Sequence, residues 1–107
     1  MTDKHFSHFD LAGFSYYDGV LVFNKLRIGD LLHLVAEPSN PHDPYAVELY
    51  YNDTKLGYIP RAYNQGIAKL LNLGHTNLFE ARINRISPDA YPEKQIGVVV
   101  WVKTVKP

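Results

Sequence analysis

The chain has 107 residues and a mass of 12.2 kDa, a length that fits one domain and leaves no room for a second. Its hydrophobic fraction of 46% and charged fraction of 21% are typical of a folded globular protein and exclude a disordered one. Eleven basic residues balance eleven acidic ones and cysteine is absent, which argues against a uniformly basic surface and excludes disulfides and thiolate chemistry.

The first predicted strands cover residues 6–14 and 20–28, which are rich in aromatic and aliphatic side chains. They flank a turn at residues 16–19, where two tyrosines precede an Asp-Gly pair. A third strand is predicted over residues 31–37. Because apolar residues fall on both of its faces, we expect it to be buried on both sides.

A β-hairpin is predicted by residues 46–51 and 55–59, which are separated by the turn signal Asn52-Asp53. Pro60 permits a helix to begin, and Gly74 is its expected C-terminal cap. Between them, apolar side chains recur at helical spacing, namely Tyr63, Ile67, Leu70 and Leu71.

Two further strands are predicted over residues 79–86 and 95–105, joined by a loop at residues 87–94. The chain is therefore expected to be mainly β, with about six short strands around one helix in a small closed or nearly closed β-barrel. A sandwich fits the same pattern, because strand pairing cannot be determined from one sequence.

Prolines stiffen the loop at residues 37–44, which carries Asn40, His42 and Asp43. Such a loop loses little entropy on binding, so its amide, imidazole and carboxylate suit hydrogen-bonded recognition. An equally good interpretation is that Asn40 and Asp43 only hold their own turn through bonds to the backbone. A catalytic His-Asp pair is disfavoured, because no serine nucleophile can be placed beside it.

Tyr16 and Tyr17 lie in a turn, where rings are hard to bury completely and can stack on unpaired bases. Alternatively, at least one of the two rings packs against the sheet. Arg61 lies at the predicted helix start, where free amides favour anions, unless an acidic neighbour pairs with it. The remaining basic residues are expected to be solvated surface charges: Lys25, Arg27, Lys55, Lys69, Arg82 and Arg85.

Common catalytic motifs are absent from the sequence, among them GxSxG, GxGxxG and HExxH. His5 and His8 lie in a segment expected to fray or to form a strand, so no metal site is predicted. The first ten residues contain no apolar targeting segment and no long apolar run follows, which predicts a cytoplasmic protein without a membrane span. A metal-dependent phosphoesterase would require four acids to cluster in space: Asp18, Asp30, Glu37 and Asp43.

Several segments taken together resemble the HIRAN domain. They are Ala12-Gly13 followed by Tyr16-Tyr17-Asp18-Gly19, Gly29-Asp30 before an apolar strand, EPxNPxDxxAV at residues 37–47, and GYIPR at residues 57–61. The resemblance spans nearly the whole chain and identifies residues 1–107 as a single HIRAN-like domain. It implies a small OB-like β-barrel of about six strands with one or two inserted helices.

The resemblance also implies DNA binding without a cofactor. The family's best-understood member captures the 3′-hydroxyl end of single-stranded DNA, which implies a non-enzymatic role in DNA repair or processing beside a helicase or nuclease partner. By the same resemblance, Tyr16 and Tyr17 would stack on bases and Arg61 would contact phosphate. Asn40 and Asp43 would hold the terminal sugar, and a carboxylate there would select a free 3′ hydroxyl over a 3′ phosphate.

Three positions differ from that member, since Ser15 replaces an arginine, His42 a tyrosine and Tyr58 a histidine. One cation fewer and one altered stacking group predict a lower affinity, a different pocket preference or another ligand altogether, although the His42 ring can still stack on a base. The alternative function is a protein interaction or self-assembly module, with a homo-oligomer as one form. It is motivated by the zero net charge and by the Tyr50-Tyr51 pair.

Overall fold

The computed structural model describes residues 3–104. Its strands and helices follow one another as β1 (Lys4–Asp10), α1 (Gly19–Val22), β2 (Leu31–Ala36), β3 (Val47–Tyr51), β4 (Thr54–Tyr58), α2 (Arg61–Asn72), β5 (Phe79–Ile86) and β6 (Ile96–Val102). Short 3₁₀ turns occupy Phe14–Tyr16, Phe23–Lys25 and Pro92–Lys94. No helix within residues 3–104 has both the length and the apolar character that crossing a bilayer requires.

The six strands form one antiparallel sheet in the order β1-β6-β5-β2-β3-β4. The first two residues of β2 pair with β5 and the next four pair with β3, so β2 joins the two halves of the sheet. The prediction of a mainly β, OB-like fold is confirmed. The sheet is not closed into a barrel, although one isolated bridge between Ala12 and Tyr58 connects the segment after β1 to β4.

The strand predicted over residues 20–28 is wrong. This segment forms α1 and a 3₁₀ turn, because tertiary packing overrides its local β propensity. The Phe14 ring lies so close to Gly19 that a Cβ there would overlap it, and the same ring packs against Phe23 with centroids 5.8 Å apart. The segment therefore folds around Phe14 and places Leu26 in the core.

The prediction that β2 is buried on both sides is also wrong. Leu32 is buried, whereas Leu31 and Val35 are exposed. A strand of an antiparallel sheet can be covered on one face only, and apolar residues on the open face are common on protein surfaces. The last strand is confirmed over Ile96–Val102, but it ends before Lys103, and its predicted end at Val105 lies outside the described residues.

Helix α2 begins directly after Pro60, as predicted, and buries one stripe of side chains at helical spacing: Asn64, Ile67, Ala68 and Leu71. Gly74 confirms its predicted capping role, because it has a φ of 95° and its N–H donates to the Leu71 carbonyl. The stripe joins a core that includes Leu11, Leu26, Val47, Leu49, Leu56, Ile59, Ile83, Ile96, Val98 and Val100.

Gly57 allows β4 to approach the backbone of the segment after β1 closely. The N–H groups of Ala12 and Tyr58 each donate to the other's carbonyl at 2.9 Å. A Cβ at position 57 would overlap the Ala12 carbonyl oxygen and the Leu11 side chain. The bridge between the two edges of the sheet therefore requires glycine at this position.

Replacing Gly57 with alanine is expected to lower the free energy of unfolding by about 1–3 kcal/mol, because the added methyl group forces the Ala12 backbone away. Urea denaturation followed by circular dichroism measures the change.

The matched control is Gly66→Ala in the interior of α2. A Cβ there meets only the Phe6 ring at an ordinary 3.7 Å, so this variant is expected to be as stable as the wild type or about 1 kcal/mol more stable. Equal stability of the wild type and Gly57→Ala would contradict the importance of this contact.

Candidate functional site

One cavity of about 280 Å³ collects six of the seven predicted site residues. It lies where the loop before β3, the segment after β1, the end of β4 and the start of α2 meet. The predicted residues that line it are Tyr17, Asn40, His42, Asp43, Tyr58 and Arg61, and the others are Ala12, Ala46, Ile59 and Pro60. Tyr16 is absent from this lining.

Asn40 holds the loop that forms one wall of the cavity. Its Oδ1 accepts hydrogen bonds from the N–H groups of His42 at 2.8 Å and Asp43 at 3.1 Å. Its Nδ2 donates to Glu37 Oε1 at 2.5 Å. The amide oxygen of Asn40 therefore holds the turn, as one interpretation of the sequence predicted. One of the two N–H groups of the amide has no partner within residues 3–104.

Asp43 connects this loop to α2. Its Oδ1 accepts from the Tyr45 N–H at 2.9 Å, and its Oδ2 accepts from Asn64 Nδ2 at 2.8 Å. The Asn64 side chain is buried, so the pair fixes the loop against the helix. Sequence reasoning missed Asn64, although it shares the helical spacing of Ile67 and Leu71 and so lies on the buried stripe.

Arg61 lies at the mouth of the cavity and is paired with an acid, as one interpretation of the sequence predicted. Its Nε is 3.7 Å from Asp43 Oδ2, and its Nη2 donates to the His42 carbonyl at 2.9 Å. The side chain is nevertheless 73% exposed. A guanidinium has five N–H donors, so donors besides the one bound to the His42 carbonyl remain for a ligand.

The two neighbouring tyrosines differ in exposure. Tyr17 is half-buried and packs edge-on against Tyr58, with ring centroids 5.8 Å apart. Tyr16 is 84% exposed. Both rings flank Gly13, which follows the cavity residue Ala12, so Tyr16 lies beside the cavity wall and outside it.

Tyr17 and Tyr58 form what we call the aromatic wall of the cavity. A cluster of polar side chains lies next to it, with Lys55 at its centre. The prediction that Lys55 is a solvated surface charge is wrong, since its side chain is only 21% exposed. Its Nζ donates to the Tyr58 hydroxyl at 2.8 Å, forms an ion pair with Glu48 at 3.1 Å and lies 4.2 Å from the Tyr17 and Tyr58 ring centroids. A bulge in β4 turns Lys55 and Tyr58 to the same side of the sheet, which strict alternation forbids.

The charge states within this cluster follow from its hydrogen bonds. The hydrogen bond from Asn40 lowers the pKa of Glu37, and a second one at 3.1 Å from the Tyr58 hydroxyl adds to the effect. Burial, assisted by the bond to Glu37, raises the pKa of Tyr58 against the opposing effect of Lys55. Burial lowers the pKa of Lys55, but its bonds to Tyr58 and Glu48 outweigh this, so the pKa of Lys55 lies above its ordinary value.

The four acids proposed for a metal-dependent phosphoesterase do not come together. Across residues 3–104, no group of three or more His, Cys, Asp or Glu side chains is close enough to hold a metal ion. His5 and His8 lie on strand β1, where a bulge brings their ring nitrogens to 3.1 Å.

The Tyr50-Tyr51 pair, which motivated a self-assembly module, is half-buried in its own chain. The Tyr50 hydroxyl donates to Glu48 at 3.0 Å, and Tyr51 packs against the core. Both rings therefore contribute to the fold of their own chain.

Replacing Glu37 with glutamine is expected to cost about 1 kcal/mol of folding stability near neutral pH, because it removes the charge from two hydrogen bonds. The lowered pKa means that this contribution is fully present above the ordinary pKa of 4.5 and is lost as the pH falls through the folded value. The stability difference between wild type and variant, measured by urea denaturation, is therefore expected to shrink from about pH 7 to about pH 3.

Glu93→Gln is the control, since Glu93 is exposed and makes no hydrogen bond or ion pair with any of the described residues. Its stability is expected to stay within about 0.5 kcal/mol of wild type throughout. A constant difference for Glu37→Gln over the same pH range would count against ionised Glu37 as the stabilising form.

Comparison with known proteins bears on what this site binds. The HIRAN domain family model matches residues 5–105. A crystal structure of a Lactobacillus plantarum protein has a TM-score of 0.80 at 23% identity, covering 94% of this chain and 95% of that chain. The crystal structure of the HIRAN domain of human HLTF has a TM-score of 0.63 at 17% identity, covering 94% of this chain and 80% of that chain.

A search of the curated proteins finds no match to the chain. The family match nevertheless covers nearly the whole sequence and includes the cavity, and it supports nucleic-acid binding at the level of the family. The resemblance drawn from the motifs between residues 12 and 61 is thereby confirmed: the chain belongs to the HIRAN domain family.

Proposed function

We propose that this HIRAN domain binds single-stranded DNA by its 3′-hydroxyl end, with the terminal nucleotide in the cavity. The observation that carries the proposal is the convergence of six predicted site residues on one cavity, including a carboxylate, an amide, a cation and two aromatic rings. Its volume of about 280 Å³ is at the lower end of ligand pockets, which suits one nucleoside.

The hydrogen-bonding capacity that remains at Asp43 supports a hydroxyl ligand. A carboxylate offers about four acceptor positions, and Tyr45 and Asn64 use two of them. The Asp43 side chain is 16% exposed at the cavity wall, so an acceptor position is open to a ligand hydroxyl. A phosphate in the same place would meet a charge of its own sign.

The two roles of the loop are compatible. Asn40 and Asp43 hold the turn with some of their polar groups and keep one N–H and one acceptor position for a ligand. A sugar that presents one donor and one acceptor would match both. Because the loop is already fixed by these bonds, little further ordering is needed on binding.

The mouth of the cavity suits the rest of the terminal nucleotides. The exposed Arg61 guanidinium can contact a backbone phosphate, and the exposed Tyr16 ring can stack on an unpaired base. His42 is exposed at the same wall and adds a second flat ring. In this proposal the domain binds and does not catalyse, and a helicase or nuclease partner supplies the chemistry in DNA repair or processing.

A single-stranded oligonucleotide with a free 3′ hydroxyl is expected to bind at least about tenfold more tightly than the same strand with a 3′ phosphate. Fluorescence anisotropy of 5′-labelled strands at one fixed salt concentration measures both affinities. Equal affinities would refute end recognition while leaving general DNA binding intact.

Replacing Tyr16 with alanine is expected to weaken DNA binding about tenfold, because one stacked ring is worth roughly 1–3 kcal/mol. The fold should tolerate the change, since the ring is almost fully exposed. Tyr16→Phe keeps the ring and should bind like wild type, and Ile28→Ala controls for loss of an exposed apolar side chain away from the cavity. If Tyr16→Ala binds as tightly as Tyr16→Phe, the stacking role is wrong.

A further inference from the structure

A second and larger cavity adjoins the first. It has a volume of about 570 Å³ and shares Ala12 and Pro60 with the first cavity as lining residues. The two cavities therefore meet at Ala12 and Pro60, beside the Ala12–Tyr58 bridge and the start of α2. Together they form one groove, which we call the extended groove.

The first turn of α2 supplies one side chain to each part of the extended groove. Arg61 lines the smaller cavity and Tyr63 lines the larger one. The Tyr63 ring stacks on Phe9, with centroids 5.9 Å apart and an interplanar angle of 26°, and Phe9 is buried. Tyr63 itself is 49% exposed, so its ring is held in place by the core and still offers surface to a ligand.

The charges in the larger cavity nearly cancel. The lining contains Arg85 and His8 as well as the acids Asp10 and Glu93. Arg85 Nη2 forms a 2.5 Å ion pair with Asp10 and also donates to the Lys94 carbonyl at 2.7 Å. A phosphate would gain little here, whereas a flat base could stack on Tyr63 and accept or donate hydrogen bonds at the Asn84 amide.

We infer that the larger cavity binds the bases that precede the terminal nucleotide, with one of them stacked on Tyr63. This inference rests on the proposed function and extends its ligand from a 3′ end to a 3′-terminal stretch of unpaired strand. Continuity of the groove carries the argument, because a strand whose end occupies the smaller cavity can cross Ala12 and Pro60 into the larger one.

The test compares oligothymidines of two and six nucleotides, each with a free 3′ hydroxyl and a 5′ label, by fluorescence anisotropy. The hexanucleotide is expected to bind wild type about tenfold more tightly than the dinucleotide. Tyr63→Ala is expected to remove this advantage and to leave dinucleotide affinity unchanged. Tyr63→Phe keeps the ring and should retain the advantage.

Leu73→Ala, an exposed change just beyond the other end of α2, should behave as wild type, and thermal melting checks that every variant is folded. The inference would be overturned if wild type bound the dinucleotide and the hexanucleotide with equal affinity. It would also be overturned if folded Tyr63→Ala lost the same factor of affinity for both strands. In either case, binding of the dinucleotide would leave the proposed function standing. If neither strand binds wild type, the proposed function fails and this inference fails with it.

Discussion

The backbone bridge between Ala12 and Tyr58 is the contact on which the site depends. It brings the segment after β1 against the end of β4, and Gly57 is the residue that makes this approach sterically feasible. The bridge brings the segment that carries Tyr17 towards Tyr58, and its residue Ala12 lines both cavities. A sheet that is not closed thus acquires a groove across its two edges.

The aromatic wall of the smaller cavity is held by charge as well as by packing. Lys55 contacts the faces of Tyr17 and Tyr58 and is itself neutralised by Glu48. Ion pairs removed from water stabilise a fold only when the surrounding groups complete their hydrogen bonds. Tyr58 and Glu48 do so for Lys55, and no buried side-chain nitrogen or oxygen of the described residues lacks a partner.

The loop before β3 shows why a structural role and a binding role need not exclude each other. Asn40 uses its oxygen to hold the turn, and Asp43 uses part of its carboxylate to fix the loop to Asn64. Amides and carboxylates have more hydrogen-bonding positions than one turn consumes. Both residues line the cavity, and the bonds that they make keep them in place.

The sequence by itself determined the strands from residue 31 onwards and the start and cap of α2, because these follow from local periodicity and turn residues. It also determined the family and six residues that share one cavity, because these follow from a specific motif. Only the tertiary structure decided that residues 20–28 are not a strand and that Lys55 is enclosed rather than solvated. Both outcomes depend on contacts between distant segments: a Phe14 ring that needs space at Gly19, and a β4 bulge that turns Lys55 towards Tyr58. The larger cavity beside Tyr63 could not be predicted from the sequence for the same reason, since β1, α2 and β5 meet there only after the sheet has formed.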